Sequence, residues 1–332
     1  MTFFRKTLCR AAILALTLSL LVSAPACARV FDLTKDENAA YPYFEDDAQL
    51  LEIWIPQIHD ADAALILCGG HSALIDTGDA KQVEGLVRVI AAFSDCRVDD
   101  IFLSHPHHDH LGGFKSMLDR ISVGRLLTGF RGTENSQMQA GIDLAAKSGI
   151  TVGYFADGDV FQIGDATLTV LMCSGDDWSL NDRSAVMRLQ FGDASILFMA
   201  DTGSKTQSAL LRRSDAKDLL RADIIKAPHH GITKLSSDFL AAADPELVLI
   251  TNTQRVAGVN SNLTAADIPI VYTCTGVTHL ITDGVNWAVE QIEPEEVDAL
   301  LGDRLADLVP SPALEEEAAA EEESFLVDED DD

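Results

Sequence analysis

A chain of 332 residues with 47% hydrophobic content has ample apolar material for a packed core, which excludes a disordered or fibrous protein. Its net charge of −29 argues against strong nucleic-acid affinity, because neutralising phosphates supplies most of a sequence-independent grip on a duplex. Eleven acidic residues fall in the last eighteen positions, EEEAAAEEESFLVDEDDD, and −29 less those eleven leaves −18 on the rest.

Taken in chain order, residues 1–28 read as an export leader. Arg5, Lys6 and Arg10 precede an apolar run from Ala11 to Val22, and the small residues SAPACA follow. The run is too short to span a bilayer comfortably. Cleavage after Ala26 or Ala28 satisfies an A-x-A rule, whereas Cys27 in APAC stands where a lipoprotein would be acylated, with Ala where Leu is usual. Soluble secretion is the first reading, lipid anchoring at the cell surface through Cys27 the second, and an uncleaved anchor the third.

The body is expected over residues 45–292. LLEIWIP, ALILCGG and SALIDTG read as three consecutive strands, the last two joined by a Gly69-Gly70 turn. KQVEGLVRVIAAF has helical spacing, with Val83, Leu86, Val87 and Ile90 on one face. DDIFLSH is the next strand, followed by helix LGGFKSMLDRI, strand VGRLLTGF and a polar helix near TENSQMQAGIDLAAKSG. A second series of strands runs through DVFQIGDATLTVLMC, SAVMRLQFG and ASILFMAD. Helix KTQSALLRRS, strand ADIIKAP, helix SSDFLAAA and strand LVLITN come next, before IPIVYTC and GVNWAVEQI close the body. Two strand series with attendant helices predict an α/β fold of two mixed sheets packed face to face, helices outside. Residues 293–332 are expected to be an acidic, largely disordered tail.

Of six cysteines, Cys9 and Cys27 belong to the leader, and Cys68, Cys96, Cys173 and Cys274 form no CxxC, which argues against a thiolate metal cage or redox pair. No glycine-rich phosphate loop follows a strand, so no nucleotide or flavin cofactor is expected. The chemistry concentrates in SHPHHDHLGG, residues 104–113. In His105-x-His107-x-Asp109-His110 alternate residues of an extended loop point the same way, and a carboxylate–imidazole pair then faces elsewhere, so one loop can serve two metal ions. Imidazole and carboxylate are ligands of choice for zinc, and Mn2+ or Fe suits them almost as well. Asp201 ends the strand SILFMAD and is the candidate bridge between the metals; His229 and His230 end ADIIKAP, with Gly231 allowing an abrupt turn. Asp76, at the end of LIDTG, is placed to orient ligands. His108 is expected to face solvent. His59, His71 and His279 are read as structural, and Asn181 and Ser184 as a turn cap. Trp178 is either a ligand-stacking or an exposed loop aromatic.

LIDTG, HPHHDHLGG, the strand-end Asp201 and PHHG, in this order and at these intervals, resemble the metallo-beta-lactamase fold hydrolases. More narrowly, NDRSAVMRLQFGDASILFMAD followed by ADIIKAPHHG and SSDFL is similar to the hydrolase domain of the DNA-uptake protein ComEC and its stand-alone secreted relatives, without the membrane channel. The resemblance implies an αββα four-layer sandwich and two metal ions, most simply Zn2+. It places His105 and His107 on one metal, Asp109, His110 and His229 on the other, and Asp201 between them. It further implies catalytic roles for Asp109, orienting the attacking water, and for His230, either a ligand in place of His229 or a proton donor to the leaving group. Two departures stand out. Met172 and Cys173 occupy the strand end where most two-metal members have a histidine, and Ile232 follows PHHG where the DNA-uptake relatives often have Ser, with Lys234, Ser236 and Ser237 nearby as substitutes. The expected function is a secreted metal-dependent hydrolase acting on a small or polymeric phosphoester. The alternative is a catalytically weak or inactive cell-surface binding module that retains the fold.

Overall fold

Short apolar runs separated by Gly and Asp turns fold into two sheets in the computed structural model, which describes residues 29–34, 44–45 and 47–308. Residues 1–28, expected to be an export leader, with Cys27, and the acidic run after residue 308 lie outside the described residues. Among the described residues no helix is long and apolar enough to cross a membrane.

The first sheet has the order β1 (Arg29–Asp32), β16 (Asn286–Ile292), β15 (Val277–Thr282), β2 (Leu51–Ile55), β3 (Ala64–Cys68), β4 (His71–Ile75), β5 (Arg97–Leu103), β6 (Ser122–Thr128) and β7 (Thr151–Tyr154). The second runs β14 (Ile270–Tyr272), β13 (Leu247–Ile250), β12 (Ile224–Lys226), β11 (Ala194–Phe198), β10 (Val186–Phe191), β9 (Ala166–Leu171) and β8 (Val160–Ile163). Both sheets share one plan. An antiparallel meander, β2-β3-β4 or β8-β9-β10-β11, turns into a parallel series, β4-β5-β6-β7 or β11-β12-β13-β14.

Parallel neighbours need crossover connections, and helices supply most of these. In the first sheet these are α1 (Val83–Ser94), α2 (His108–Leu111) with α3 (Gly113–Met117), and α4 (Ser136–Lys147). In the second they are α5 (Ser204–Leu211) with α6 (Ala216–Leu220), α7 (Ser237–Ala243) and α8 (Ser261–Ala265). Every such crossover begins with a loop at the C-terminal end of a parallel strand, where α/β proteins gather ligands. Asp76, the histidine loop, Asp201, PHHG and Thr251 all fall in these loops, after β4, β5, β11, β12 and β13.

The central strands of the second sheet, β11, β12 and β13, are buried on both faces, which is why they read as continuous apolar runs. Ile196, Ile224 and Leu249 join the core between the sheets, with Phe102, Leu168 and Trp287, while Leu197, Ile225 and Val248 pack outward with Leu210 and Phe239 of the helices. Each such aromatic or aliphatic side chain contributes roughly 1.5–3 kcal/mol by leaving water. On the first sheet α1 buries the expected face, Val83, Leu86, Val87 and Ile90.

The expected domain limits require correction at both ends. β1 pairs in parallel with β16, Arg29 opposite Asn286, so the sheet extends upstream of residue 45. At the other end PEEVDALL is not tail but α9 (Pro294–Leu301), opened by a Glu293/Glu296 capping box with proline in its first turn. Val297 and Leu301, one turn apart, and then Leu308 insert into the main core, and Asp298 pairs with Arg88 of α1 at 3.1 Å. The acidic residues of this segment cover only its outer side, so composition alone hides the buried stripe.

Candidate metal centre

The centre is assembled from five strand ends. β5 delivers Ser104, whose backbone N–H and hydroxyl donate to the two oxygens of Asp76 at 2.7 and 2.8 Å. Asp76 leaves β4 with φ 57°, a left-handed backbone that aims its buried carboxylate back under the histidine loop. Nδ1 of His110 lies 2.7 Å from Asp76 Oδ2, which turns the other ring nitrogen forward, 3.0 Å from Asp201 Oδ1. Such a carboxylate behind an imidazole fixes its tautomer and orientation. The loop is clamped as Thr77 donates to the His110 carbonyl from both its backbone N–H, 2.7 Å, and its hydroxyl, 3.0 Å. Only glycine fits at 113, where a Cβ would lie 2.1 Å from the Thr77 carbonyl oxygen.

His105 is fully buried. Its Nδ1 is 3.0 Å from Ser104 Oγ, and its Nε2 is 3.1 Å from His107 Nδ1 and 3.8 Å from Asp201 Oδ2. Across the gap, PHHG follows β12 with two consecutive left-handed residues, His229 (φ 50°, ψ 54°) and His230 (φ 51°, ψ 24°). Each such residue costs roughly 1–2 kcal/mol, a strain that persists where surrounding contacts over-determine it and that collects at functional sites. The two rings diverge. His230 turns inward and is buried, with Nε2 3.0 Å from Asp109 Oδ2 and 3.6 Å from Asp201 Oδ1. His229 stays at the rim, its side chain 33% exposed, with Nε2 3.6 Å from Asp201 Oδ2.

The two oxygens of Asp201 therefore face two groups, His110 and His230 on one side, His105 and His229 on the other. Two clusters of converging donor atoms share Asp201: Asp62, His110, Asp201 and His230, and His105, His107 and Asp201. These positions bear on the choice between His229 and His230 that the sequence leaves open. His230, not His229, stands with His110 and Asp109, because the left-handed step at both residues sends the second ring into the protein. The structure brings His105, His107, His110 and Asp201 together, with Asp109 beside them through its contact with His230.

Asp62, in the loop before β3, was not anticipated. Its Oδ1 accepts from the Thr251 hydroxyl at 2.7 Å and lies 3.1 Å from His230 Nδ1, while Oδ2 pairs with Lys226 Nζ, itself buried. Both oxygens are engaged, so Asp62 backs His230 as Asp76 backs His110, while Asp109 keeps one buried oxygen, Oδ1, without a hydrogen-bond partner. The available signal was a lone aspartate in the apolar run ADAALIL matched by a lone lysine inside ADIIKAP.

The donor set fits divalent cations. Both Asp201 oxygens, Asp109 Oδ1 and His110 Nε2 are buried and make no aligned hydrogen bond, an arrangement that is costly unless a cation meets them. Electrostatics divide the imidazoles the same way. Burial, reinforced by the neighbouring His110 charge, pushes His105 well below its usual range and His107 below it, leaving neutral rings with lone pairs to offer. For His110 burial is outweighed by Asp201, Asp76 and Asp109, which hold it well above its usual range. His230 is likewise carried against burial to about 9 by Asp201 and Asp62. Asp201 and Asp109 resist the upward push of burial and are held low, chiefly by the His110 charge.

Cys173 stands apart from both clusters, beside Arg213, with its thiol pushed up by burial. Met172 packs against Gly129, where an added Cβ would lie 2.6 Å from the methionine Cε. Neither replaces the histidine expected at that strand end. His108 faces solvent, and the Ser184 hydroxyl donates to the Asn181 carbonyl at 2.7 Å, as a turn cap should. Trp178 lies on Gly175, Ser236 caps α7, and Ile232 is exposed beside the site. His71 pairs with Asp100 and His279 with Glu52 and Glu290, both structural.

Residues 61–251, more than half of the chain, match the family model of the metallo-beta-lactamase superfamily. The chain belongs to this superfamily. Among curated relatives, a hydroxyacylglutathione hydrolase of Pseudomonas paraeruginosa is 37% identical over 124 residues, covering 37% of this chain and 39% of that protein. Another hydroxyacylglutathione hydrolase, from Aeromonas hydrophila, is 38% identical over 74 residues, 22% of this chain and 28% of its own. The match thus spans about two fifths or less of these relatives. Among solved structures, the metallo-beta-lactamase fold protein YhfI from Bacillus subtilis is 16% identical with a TM-score of 0.48, covering 67% of this chain and 95% of its own. CmlA beta-hydroxylase is 18% identical with a TM-score of 0.45, covering 70% and 53%.

Proposed function

We propose that this superfamily member is a metal-dependent hydrolase with two adjacent metal positions, acting on a phosphodiester or other phosphoester. The observation that carries the two-metal reading is the division of Asp201, one oxygen toward His110 and His230 and the other toward His105 and His229. His105 and His107 would hold one ion, Asp109, His110 and His230 the other, and Asp201 both. Divalent ions bound there supply Lewis acidity and bring the pKa of a water toward neutrality. Around them the chain's own groups do the rest. Asp76 and Asp62 orient His110 and His230 through Nδ1, and the half-exposed edge formed by His107 and His229 is where substrate reaches the centre. Local cations offset the acidic surface, which leaves an anionic substrate admissible. Preference for phosphorus rests on the ComEC-like motifs.

A second reading, hydrolysis of a thioester, is favoured by the partial likeness to hydroxyacylglutathione hydrolases. One experiment separates them. The purified body, residues 29–308, is assayed for bound metal and for hydrolysis of bis-p-nitrophenyl phosphate and of S-lactoylglutathione, with Zn2+, Mn2+ or chelator. About two metals per chain and chelator-sensitive phosphodiester turnover are expected. Faster thioester cleavage would transfer the assignment, and metal-free protein without turnover on either substrate would point to the binding module. Export, soluble or through a lipid on Cys27, belongs to the same proposal, and mass analysis of the mature N-terminus tests it.

A further inference from the structure

Lys226 is a buried cation that the hydrolase reading leaves unused. It ends β12, three residues before the histidine pair, with its ammonium turned to the base of the centre rather than to water. Burying an ammonium costs several kcal/mol unless it is paired. Its partner is Asp62 Oδ2. The same carboxylate accepts from Thr251 and meets His230 Nδ1 through Oδ1, and its Oδ2 also comes within 3.9 Å of His110 Nδ1. Asp62 thus stands among four groups, with His110, Asp201 and His230, whose donor atoms lie within 4.8 Å of one another. A carboxylate so placed has two possible duties. It can back an imidazole, or it can enter the ligand set itself.

We propose that Lys226 is a positioning residue that decides between them: by holding Asp62 Oδ2, it keeps this carboxylate behind His230 and out of the metal's ligand set. Thr251 fixes the other oxygen, so with Lys226 in place neither oxygen is left for a cation. Without Lys226, Oδ2 is a free anionic donor beside His110 and Asp201. An added carboxylate raises the coordination number and favours harder ions such as Mn2+ over zinc. Lys226 therefore sets which metal the backed position prefers, without touching metal or substrate. The inference rests on the metal-hydrolase reading above.

The test uses the metal-reconstituted body with Lys226→Met, Asp62→Asn and the double variant Asp62→Asn/Lys226→Met. Two readouts other than activity are recorded: visible absorption of the Co2+ form, strong for four-coordinate and weak for higher-coordinate cobalt, and the Mn2+-to-Zn2+ preference by competition. Lys226→Met is expected to lose cobalt absorption and to shift its preference toward Mn2+ by about tenfold or more, the scale on which groups behind metal ligands act. The double variant is expected to return to wild-type values, because the amide introduced by Asp62→Asn still accepts from His230 and offers no anionic oxygen. Wild-type spectrum and preference in Lys226→Met, or a shift that persists in the double variant, would overturn the proposal. Where Lys226→Met fails to fold by circular dichroism, the double variant is compared with Asp62→Asn. Agreement between those two supports action through Asp62, and a difference overturns it. A wild-type chain that takes up no metal would overturn the hydrolase reading along with this one.

Discussion

The two sides of Asp201 are built differently. On one side His110 and His230 each have a buried carboxylate at Nδ1, Asp76 at 2.7 Å and Asp62 at 3.1 Å, and both rings are buried. On the other side His105 has only the Ser104 hydroxyl behind it, His107 is half-buried, and His229 sits at the rim. Met172 and Cys173 add no donor there. A side whose ligands are oriented in advance spends little binding energy on ordering them, whereas the other must draw its rings together when the cation arrives. On the proposed two-metal reading, the difference would give one firm and one loose position around a single shared carboxylate.

The largest effect should come from the residue common to both sides. Asp201→Ala is expected to empty both positions and to lower kcat/KM by about 100- to 1,000-fold, on the scale of removing one element of a preorganised electrostatic site. Metal content and turnover of the reconstituted chain check this, and one metal retained at full affinity would break the symmetry of the bridge. Next come variants that separate the sides: His110→Ala should lose the tightly held ion and His107→Ala the loose one, each leaving about one metal per chain. Smaller again is Asp76→Asn, which keeps an acceptor for Ser104 but withdraws the charge behind His110; about 10-fold weaker binding of the tight ion is expected, with the loose one unchanged. Chelator competition on that variant reads both at once.

The smallest effect lies away from the centre. His279 is stacked on Trp54 with ring centroids 3.7 Å apart and stands between Glu52 and Glu290. Burial works against its charge, but hydrogen bonds to the two glutamates outweigh it and hold the ring above its usual 6.5. A folded-state pKa raised in this way contributes stability that is complete below 6.5 and disappears as pH rises through the raised value. Melting of the metal-loaded wild type should therefore fall more steeply on the alkaline side than that of His279→Gln. Equal slopes would show that His279 is not charged in the fold.

Much of this centre was legible because its residues are concentrated. HPHHDH places five ligand-type side chains and a turn in one loop, and Asp201 and PHHG interrupt apolar runs at strand ends. The order of His229 and His230 was not legible, since it depends on two left-handed backbone steps that sequence alone does not announce. Asp62 and Lys226 were missed for another reason. Each is a single charge in an apolar stretch, and only the fold shows that the two charges meet across 164 positions. The same holds for β15, whose Thr-His core THLIT alternates poorly yet is buried throughout between β2 and β16. α9 was obscured by charge, its two buried residues lying among four acidic neighbours counted from Glu293.

The most direct measurement is stepwise removal of zinc from the fully loaded chain by a competing chelator, with metal per chain followed in the wild type, His107→Ala and His110→Ala. Two classes of zinc are expected, the weaker missing from His107→Ala and the tighter from His110→Ala. A single class, or a weaker ion that vanishes with His110, would contradict the division of the centre at Asp201.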